Sequence, residues 1–302
     1  MVSKKNTVVG LGELLWDLFP EGKKLGGAPA NFAYITSLLG DEGIPASRLG
    51  HDDLGAEAIC RLGELGLSTE FIQQDADHPT GTVKVEVARD GQAGFEIAQP
   101  VAWDFFDWTP QWQDLAQRAD AVCYGTLAQR SEHSCTTMRR FLLAAQPSAV
   151  RVCDINLRQK FFNARVVAES MKLATIVKLN HEELPRVMRL LELEHLGEED
   201  SARCLLSSYD LKLACITRAT NGSLLVSADQ RAEHPGFRVK VADTVGAGDA
   251  FTAALVHGYL RRASLDQINE TANRVGAWVA SQSGGTPAPK GGDLNQSLRE
   301  IH

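Results

Sequence analysis

The second half of the chain alternates short apolar runs with helical patterns. Apolar, β-branched runs predict buried strands at 121–124, 150–154, 175–179 and 213–217. Helices are predicted at 132–145, 182–191, 201–209, 246–262 and 265–282. This alternation predicts an α/β fold around a mainly parallel sheet. Because ligands of such folds bind at the carboxyl edge of the sheet, we expect functional residues directly after the strands.

The first half of the chain has a different residue pattern, in which alternating polar and apolar residues also occur. Residues 7–11 form an apolar run that predicts a first buried strand, and Pro29 opens a helical pattern that Gly40 closes. Residues 82–97 alternate apolar and polar side chains around the turn Arg89-Asp90-Gly91-Gln92. That pattern predicts a hairpin with one wet face, lying outside the main sheet.

Composition removes several classes of protein. The 302 residues are 44% hydrophobic and 23% charged, which is ordinary globular usage. A net charge of -7 argues against a nucleic-acid partner. Apolar runs all fall short of the roughly eighteen residues that a membrane span needs. The six cysteines form no CxxC pair and are expected to be reduced, so the prediction is a cytoplasmic protein without a membrane partner.

The segment Asp243-Thr244-Val245-Gly246-Ala247-Gly248-Asp249-Ala250-Phe251 carries the strongest chemical signal. Small residues before an apolar helix let the backbone approach a ligand, and a helix start attracts anions. A carboxylate at Asp249 beside an anion site suits a base that takes a proton from a hydroxyl attacking a phosphoryl group. The alternative is that Asp249 only caps the helix. Neither a complete dinucleotide fingerprint nor a Walker A loop is present in the sequence.

Four motifs in order give the chain its resemblance to a known family. The Asp243–Phe251 segment resembles the carboxyl-terminal signature of the PfkB or ribokinase family of carbohydrate kinases. Residues 26–33 (GGAPANFA) resemble its amino-terminal glycine motif, and residues 50–55 (GHDDLG) its GxDxxG segment. Residues 180–183 (NHEE) resemble its NxxE motif, placed after a predicted strand. Together these pieces span almost the whole chain.

The resemblance implies a ribokinase-like three-layer α/β/α sandwich with a small β-sheet lid. Residues 1–302 would form one kinase domain, with the lid built from segments near 13–30 and 80–102. By this analogy Asp249 is the catalytic base. The backbone amides of Gly246, Ala247 and Gly248 would form an anion hole for the transferred phosphoryl group.

The sugar is expected to bind to six residues, some of them implied by the resemblance. A carboxylate, an amide and two glycines suit sugar hydroxyls, because they combine directional hydrogen bonds with close backbone approach. An aromatic ring on the hairpin could stack on the sugar. The segment 154–158 (DINLR) resembles fructokinases and 2-keto-3-deoxygluconate kinases, and its arginine suits a phosphate or carboxylate. The six residues are Asp17, Gly26, Gly27, Asn31, Phe95 and Arg158.

ATP is expected on the other side of the anion hole. The resemblance assigns it to Asn180, Glu183, Thr217, Gly222 and Asn273, although a helix asparagine such as Asn273 could equally be exposed. Glu183 would hold Mg²⁺ through water, and Asp243 with residues 283–286 would hold a monovalent cation such as K⁺. Where the family commonly has glycine, this chain has Ala219, which bears on the conformation of the nucleotide loop.

The expected function is that of an ATP-dependent sugar kinase acting on a primary hydroxyl, with fructose as the favoured sugar. The stretch 12–20 (GELLWDLFP) resembles fructokinases more than ribokinases and carries this choice. Alternatives are a 2-keto-3-deoxygluconate kinase or another sugar or nucleoside kinase of the family. An alternative outside catalysis is a sugar- or nucleotide-binding regulator. A homodimer through the lid is expected from the family.

Overall fold

The computed structural model describes residues 5–20, 22–87 and 93–301, of which 85–87 and 93–95 by backbone alone. The strands are β1 Thr7–Leu11, β2 Leu15–Phe19, β3 Gly22–Gly26, β4 Glu42–Gly50, β5 Ile72–Asp75, β6 Gly81–Val87, β7 Ala93–Ile97, β8 Ala121–Tyr124, β9 Val150–Asp154, β10 Ile176–Asn180, β11 Leu213–Thr217, β12 Ser223–Val226 and β13 Arg231–His234. The helices are α1 Ala28–Leu38, α2 Asp53–Glu64, α3 Pro110–Arg118, α4 Glu132–Ala144, α5 Ala164–Leu173, α6 Glu183–Leu190, α7 Glu198–Tyr209, α8 Ala247–Leu260, α9 Leu265–Ala280 and α10 Leu294–Leu298.

A mainly parallel sheet organises the fold. Within the described ranges it has nine strands in the order β13-β12-β11-β10-β9-β8-β1-β4-β5. All pairs from β11 to β5 are parallel, whereas β12 and β13 pair antiparallel. The predicted α/β class is therefore confirmed. The carboxyl ends of β9, β10 and β11 lie side by side, because Asp154 pairs with Lys178 and Asn180 with Thr217.

Helices cover both faces of this sheet. Apolar side chains of α3, α4, α5, α6 and α7 pack with one face in a continuous core. Those of α1, α2, α8, α9 and α10 pack with the other face in a second core. A parallel sheet that is buried on both faces needs such a three-layer arrangement. None of the described helices is long and apolar enough to cross a membrane.

Strand β4 is one of the elements that the sequence pattern did not predict. It carries Pro45, and proline normally argues against a strand inside a sheet because it lacks an N–H donor. The structure resolves the conflict by register. β1 pairs with residues 42–46 of β4, whereas β5 pairs only from Ser47 onward. One side of Pro45 therefore has no strand partner that would need its amide hydrogen.

A second sheet of four strands, in the order β3-β2-β6-β7, is separate from the main one. Its strands fall within the segments 13–30 and 80–102 that were expected to form the lid. The predicted hairpin corresponds to β6 and β7, which pair antiparallel; its turn at 89–92 lies outside the described residues. The role of this sheet as a lid stays a prediction, as does the single-domain organisation of the chain.

Candidate active site

Two clefts meet at the carboxyl edge of the main sheet. The inner cleft, about 530 Å³, lies between this edge and the small sheet, and Asp17, Asn31, Arg158 and Asp249 line it among others. The outer cleft, about 400 Å³, extends from the end of β11 across α8 and α9. Thr244 and Gly248 line both clefts. The start of α8 is thus the wall that the two clefts share.

The first turn of α8 is built to leave backbone amides free. Gly246 precedes the helix with a φ of 75°, and a Cβ there would collide with the backbone of Gly285. The amide of Ala247 donates to the carbonyl of Thr244 at 3.3 Å. In the part of the chain that the structure describes, no protein acceptor contacts the amides of Gly246 and Gly248. Free amides at a helix start suit an anion.

Asp249 lies beside these amides and faces the inner cleft. Its Oδ2 accepts a hydrogen bond of 2.9 Å from Nδ2 of Asn31, which lies in α1. Burial raises the pKa of Asp249 to about 6, although the hydrogen bond from Asn31 opposes the rise. Among the described residues, no donor reaches Oδ1 of Asn31, which is buried. An unpartnered carbonyl oxygen next to a buried carboxylate suits an incoming hydrogen-bond donor.

The inner cleft is acidic. Burial raises the pKa of Asp17 to about 6, with Arg158 opposing the rise. Burial also raises the pKa of Glu13 to about 7, and the nearby charge of Asp249 adds to this shift. Arg158 is exposed, and among the described residues the one hydrogen bond of its guanidinium goes to the carbonyl of Leu157. Carboxylates thus outnumber free cations in this cleft.

The remaining residues predicted to bind the sugar have different positions. Gly27 lines the inner cleft with a φ of 110°, and a Cβ there would collide with the carbonyl of Glu13. Gly26 is buried behind it, where the missing side chain leaves room for the carboxylate of Asp17. Phe95 belongs to β7, but its side chain lies outside the described residues.

The outer cleft brings together four of the predicted nucleotide residues, Asn180, Thr217, Gly222 and Asn273. Asn273 is buried, and its Nδ2 donates to Oγ of Ser223 at 2.8 Å. The alternative of an exposed helix asparagine is therefore wrong. Gly222 has a φ of 79°, and a Cβ there would collide with the carbonyl of His234. Its missing side chain therefore lets this turn pack closely against the end of β13.

Glu183 is buried and does not line the outer cleft. Its Oε1 accepts from the amide of Leu157 at 2.7 Å, and its Oε2 from the amide of Asn180 at 2.8 Å. Oδ1 of Asn180 accepts from the amides of residues 182 and 183, which starts α6. Glu183 therefore ties the ends of β9 and β10 together. Its predicted role in holding Mg²⁺ through water stays a prediction.

Asp243 joins two loops beside the anion site. Its Oδ1 accepts from the amide of Val245 at 3.0 Å, and its Oδ2 from the amide of Gly284 at 3.1 Å. A cation already lies nearby, because Nζ of Lys24 is 3.6 Å from Oδ2 of Asp243 and donates to Oγ of Ser283 at 3.0 Å. Lys24 belongs to β3, so this contact connects the small sheet to the loops.

Ala219, the departure from the family pattern, has a φ of 52° and lines the outer cleft. This left-handed conformation costs a residue with a Cβ about 1–2 kcal/mol. We expect Ala219→Gly to raise the free energy of unfolding by up to about 1 kcal/mol. Glycine relieves the strained backbone, but its greater conformational entropy in the unfolded chain offsets part of this stabilisation. Urea denaturation measures the change. Ala228→Gly, at a position without a positive φ, should destabilise instead; equal losses in both variants would contradict the prediction.

Glu13 and Lys178 are among the residues of the inner cleft that were missed in the sequence. Glu13 lies within a quoted motif, but a lone carboxylate after a strand gives no sign of its burial. Lys178 is the charged residue of the apolar strand β10 and is buried in the structure. A lysine inside an apolar run was the sequence signal that could have pointed to it. A buried ammonium needs a carboxylate partner. The sequence alone did not identify that partner.

Comparison with known proteins gives consistent matches along the chain. Residues 20–290 match the profile of the family described as pfkB family carbohydrate kinase. The chain is 30% identical to an uncharacterized sugar kinase of Pyrococcus horikoshii over 309 residues, covering 95% of this chain and 94% of that protein. It is 28% identical to the fructokinase of Escherichia coli over 298 residues, covering 92% and 94%. The P. horikoshii kinase in complex with ATP has a TM-score of 0.82 at 28% identity, covering 97% and 99%.

Proposed function

Because the chain belongs to the pfkB family of carbohydrate kinases, it phosphorylates a sugar-type alcohol on a ribokinase-like fold, and we propose fructose or a similar small neutral sugar as its acceptor. One observation carries the proposal. The inner cleft contains the carboxylates Glu13, Asp17 and Asp249. In the described part of the chain, Lys178 of this cleft is already paired with Asp154, so Arg158 is the cation left to balance them. Such a cleft favours neutral hydroxyl groups over an anionic sugar.

The fructokinase of Escherichia coli supports this choice by similarity over almost its whole length. The runner-up is a 2-keto-3-deoxygluconate kinase, in which Arg158 would pair with the substrate carboxylate. Other sugars and nucleosides come after it. A purely binding role is the weaker alternative, because Asp249 faces the inner cleft beside the free amides of α8, where a kinase needs its base.

The phosphoryl transfer follows from the shared wall of the clefts. Asp249 takes the proton of the acceptor hydroxyl while the hydroxyl oxygen forms a bond to the γ-phosphorus of ATP. The bond from that phosphorus to the bridging oxygen breaks, and ADP leaves with the electron pair. The free amides of Gly246 and Gly248 stabilise the charge that develops on the transferred group. Leu15, Val83 and Ile97 of the small sheet line the inner cleft and would exclude water.

Magnesium fits this site as a partner of the triphosphate. Among the described residues, no cluster of three His, Cys, Asp or Glu side chains could cage a metal. Mg²⁺ in kinases keeps several waters and binds chiefly to phosphates, so a cage is not needed. Asn180, which lines the outer cleft, would hold it through water. Glu183 is buried behind the cleft and would contribute by accepting from the Asn180 amide. Bound there, Mg²⁺ would neutralise charge on the phosphate oxygens.

A monovalent cation and a dimer complete the proposal. Asp243 and the loop 283–286 would bind K⁺, and the approach of the Lys24 ammonium to this carboxylate supports its affinity for cations. Edge strand β3 of the small sheet is exposed at residues 22–24, which favours pairing with a second copy. Light scattering after size exclusion tests the dimer, and replacing K⁺ by tetramethylammonium tests the cation.

The test of the acceptor is ADP formation from Mg-ATP with a panel of neutral and acidic sugars. We expect turnover of fructose to exceed that of 2-keto-3-deoxygluconate by at least about tenfold, because the acidic sugar would bring its carboxylate close to like charges. Arg158→Met should then leave fructose the better substrate. Preference for the acidic sugar, lost in Arg158→Met, would move the assignment to the runner-up.

A further inference from the structure

The floor of the inner cleft contains a buried ion pair that the mechanism above does not use. Lys178 of β10 and Asp154 of β9 are cross-strand neighbours in register. Nζ of Lys178 donates to both oxygens of Asp154, at 3.0 and 2.9 Å, and less than a tenth of either side chain is exposed. Oγ1 of Thr252 in α8 also donates to Oδ2 of Asp154 at 2.9 Å.

The pair reaches the reacting end of the site. A carbon atom added to Gly248 would lie 3.5 Å from Nζ of Lys178, so the ammonium lies directly beneath the anion site. Thr252 is one turn along α8 from Gly248, whose carbonyl it also contacts at 2.9 Å. The ion pair therefore connects the ends of two strands to the first turn of the catalytic helix.

Stability does not explain the pair. A buried ion pair contributes little compared with well-packed apolar side chains, because both charges lose their hydration. A sheet interior of this kind would fold at least as well with apolar residues at both positions. The charges are thus more informative about the chemistry above them than about the fold.

We propose that Lys178 is a positioning residue of the phosphoryl-transfer site, supplying the fixed positive charge that offsets the carboxylates around Asp249. The charged or titratable groups that face Asp249 and this pair come from several neighbouring elements: Glu13, Asp17, Cys123, Cys153, Asp154, Arg158, Lys178, Glu183 and Cys215. Four of the nine are carboxylates. Without Lys178 the base would face these four carboxylates against the single positive charge of Arg158.

The two members of the pair act on the base with opposite signs. The negative charge of Asp154 favours protonated Asp249, whereas the positive charge of Lys178 favours the ionised form that can accept a proton. Burial alone would lower the pKa of Lys178, but Asp154 raises it above its usual value, so the ammonium stays charged. The inference rests on the proposed function, since it needs Asp249 to act as the base.

The test is the acid limb of the pH profile of kcat/KM, measured with whichever sugar the wild type turns over. Lys178→Met should move this limb upward by about one pH unit, and Asp154→Asn should move it downward. The double variant Lys178→Met/Asp154→Asn should return it close to the wild-type position. Lys178→Arg keeps the charge and should leave the limb in place.

Thr252→Val is the matched control, because it disturbs the same contacts without changing charge, and its limb should stay where it is. A loss of activity that is equal at every pH in Lys178→Met would reduce the residue to a structural role and overturn the inference. Should Lys178→Met not fold, Asp154→Asn carries the test, and an unmoved or upward limb there refutes it. A wild type without turnover on any sugar would instead count against the proposed function.

Discussion

Replacing Asp249 by asparagine is expected to lower kcat for the sugar by about 10²–10⁴-fold, the usual contribution of a general base. Asparagine keeps the shape of the side chain and its contact with Asn31, but it cannot accept the hydroxyl proton. In the wild type, kcat/KM should fall below about pH 6, since the pKa of Asp249 is raised to that value and only the ionised form is active. Coupled measurement of ADP release gives both results.

Asp266→Asn provides the control for this substitution. Asp266 also lies in the first turn of a long helix, α9, but it is exposed and far from both clefts. Its activity should equal that of the wild type. If Asp249→Asn retained full turnover, the assigned base would be wrong, and Glu13, whose pKa burial raises to about 7, would be the next carboxylate to test.

The second large effect is expected at the opposite end of α8. The side chain of Asp41 is fully buried and accepts from both Nη1 and Nη2 of Arg261, at 2.8 and 2.9 Å. It also contacts Nδ1 of His257 at 2.8 Å and accepts from Asn6. Burial alone would raise the pKa of Asp41, but the bonds from His257 and Arg261 hold it well below its usual range.

Asp41→Asn should therefore lower the free energy of unfolding by about 3 kcal/mol, because it removes the charge that Arg261 and His257 share. The lowered pKa fixes the sign with pH. The stabilisation is present above the unfolded-state value of about 3.9 and is lost as the pH falls towards the folded-state value. Urea denaturation at pH 7 and at pH 3.5 should show a smaller gap between wild type and variant at the lower pH.

Asp229→Asn, in an exposed turn, is the control for this effect and should change stability by less than about 0.5 kcal/mol. A gap between wild type and Asp41→Asn that grew on acidification would contradict the assigned ionisation. Because Asp41 anchors the last turn of α8, the variant also tests how far the anion site depends on a fixed helix.

The sequence predicted those strands and helices whose conformation is determined by local residue patterns. The apolar strands at 121–124 and 150–154 and the helix that begins near Pro29 follow from periodicity and end signals. Strand β4 could not be predicted, because Pro45 is tolerated only through the register of β1 and β5, which local sequence does not contain. The family motifs placed Asn31 and Asp249 in one expected site. The two residues are 218 positions apart in the sequence and share a hydrogen bond in the structure.

Ion pairs between neighbouring parallel strands cannot be predicted from the sequence for a related reason. Lys178 and Asp154 are 24 residues apart, and only the pairing of β9 with β10 brings them together. The burial of Glu13 likewise depends on how α1 and the small sheet enclose the inner cleft. In both cases, packing between distant parts of the chain determines whether these side chains are charged. The charges of these side chains in turn affect the chemistry of the site.

The wall formed by Thr244 and Gly248 has a thermodynamic consequence for the two ligands. In the proposed arrangement each ligand meets a surface that the other also touches, so any shift of this turn affects both binding equilibria. Linkage then requires that the factor by which ATP changes the affinity for the sugar equal the factor by which the sugar changes the affinity for ATP. A calorimetric titration in each order, with a nonhydrolysable nucleotide, measures the same coupling free energy twice.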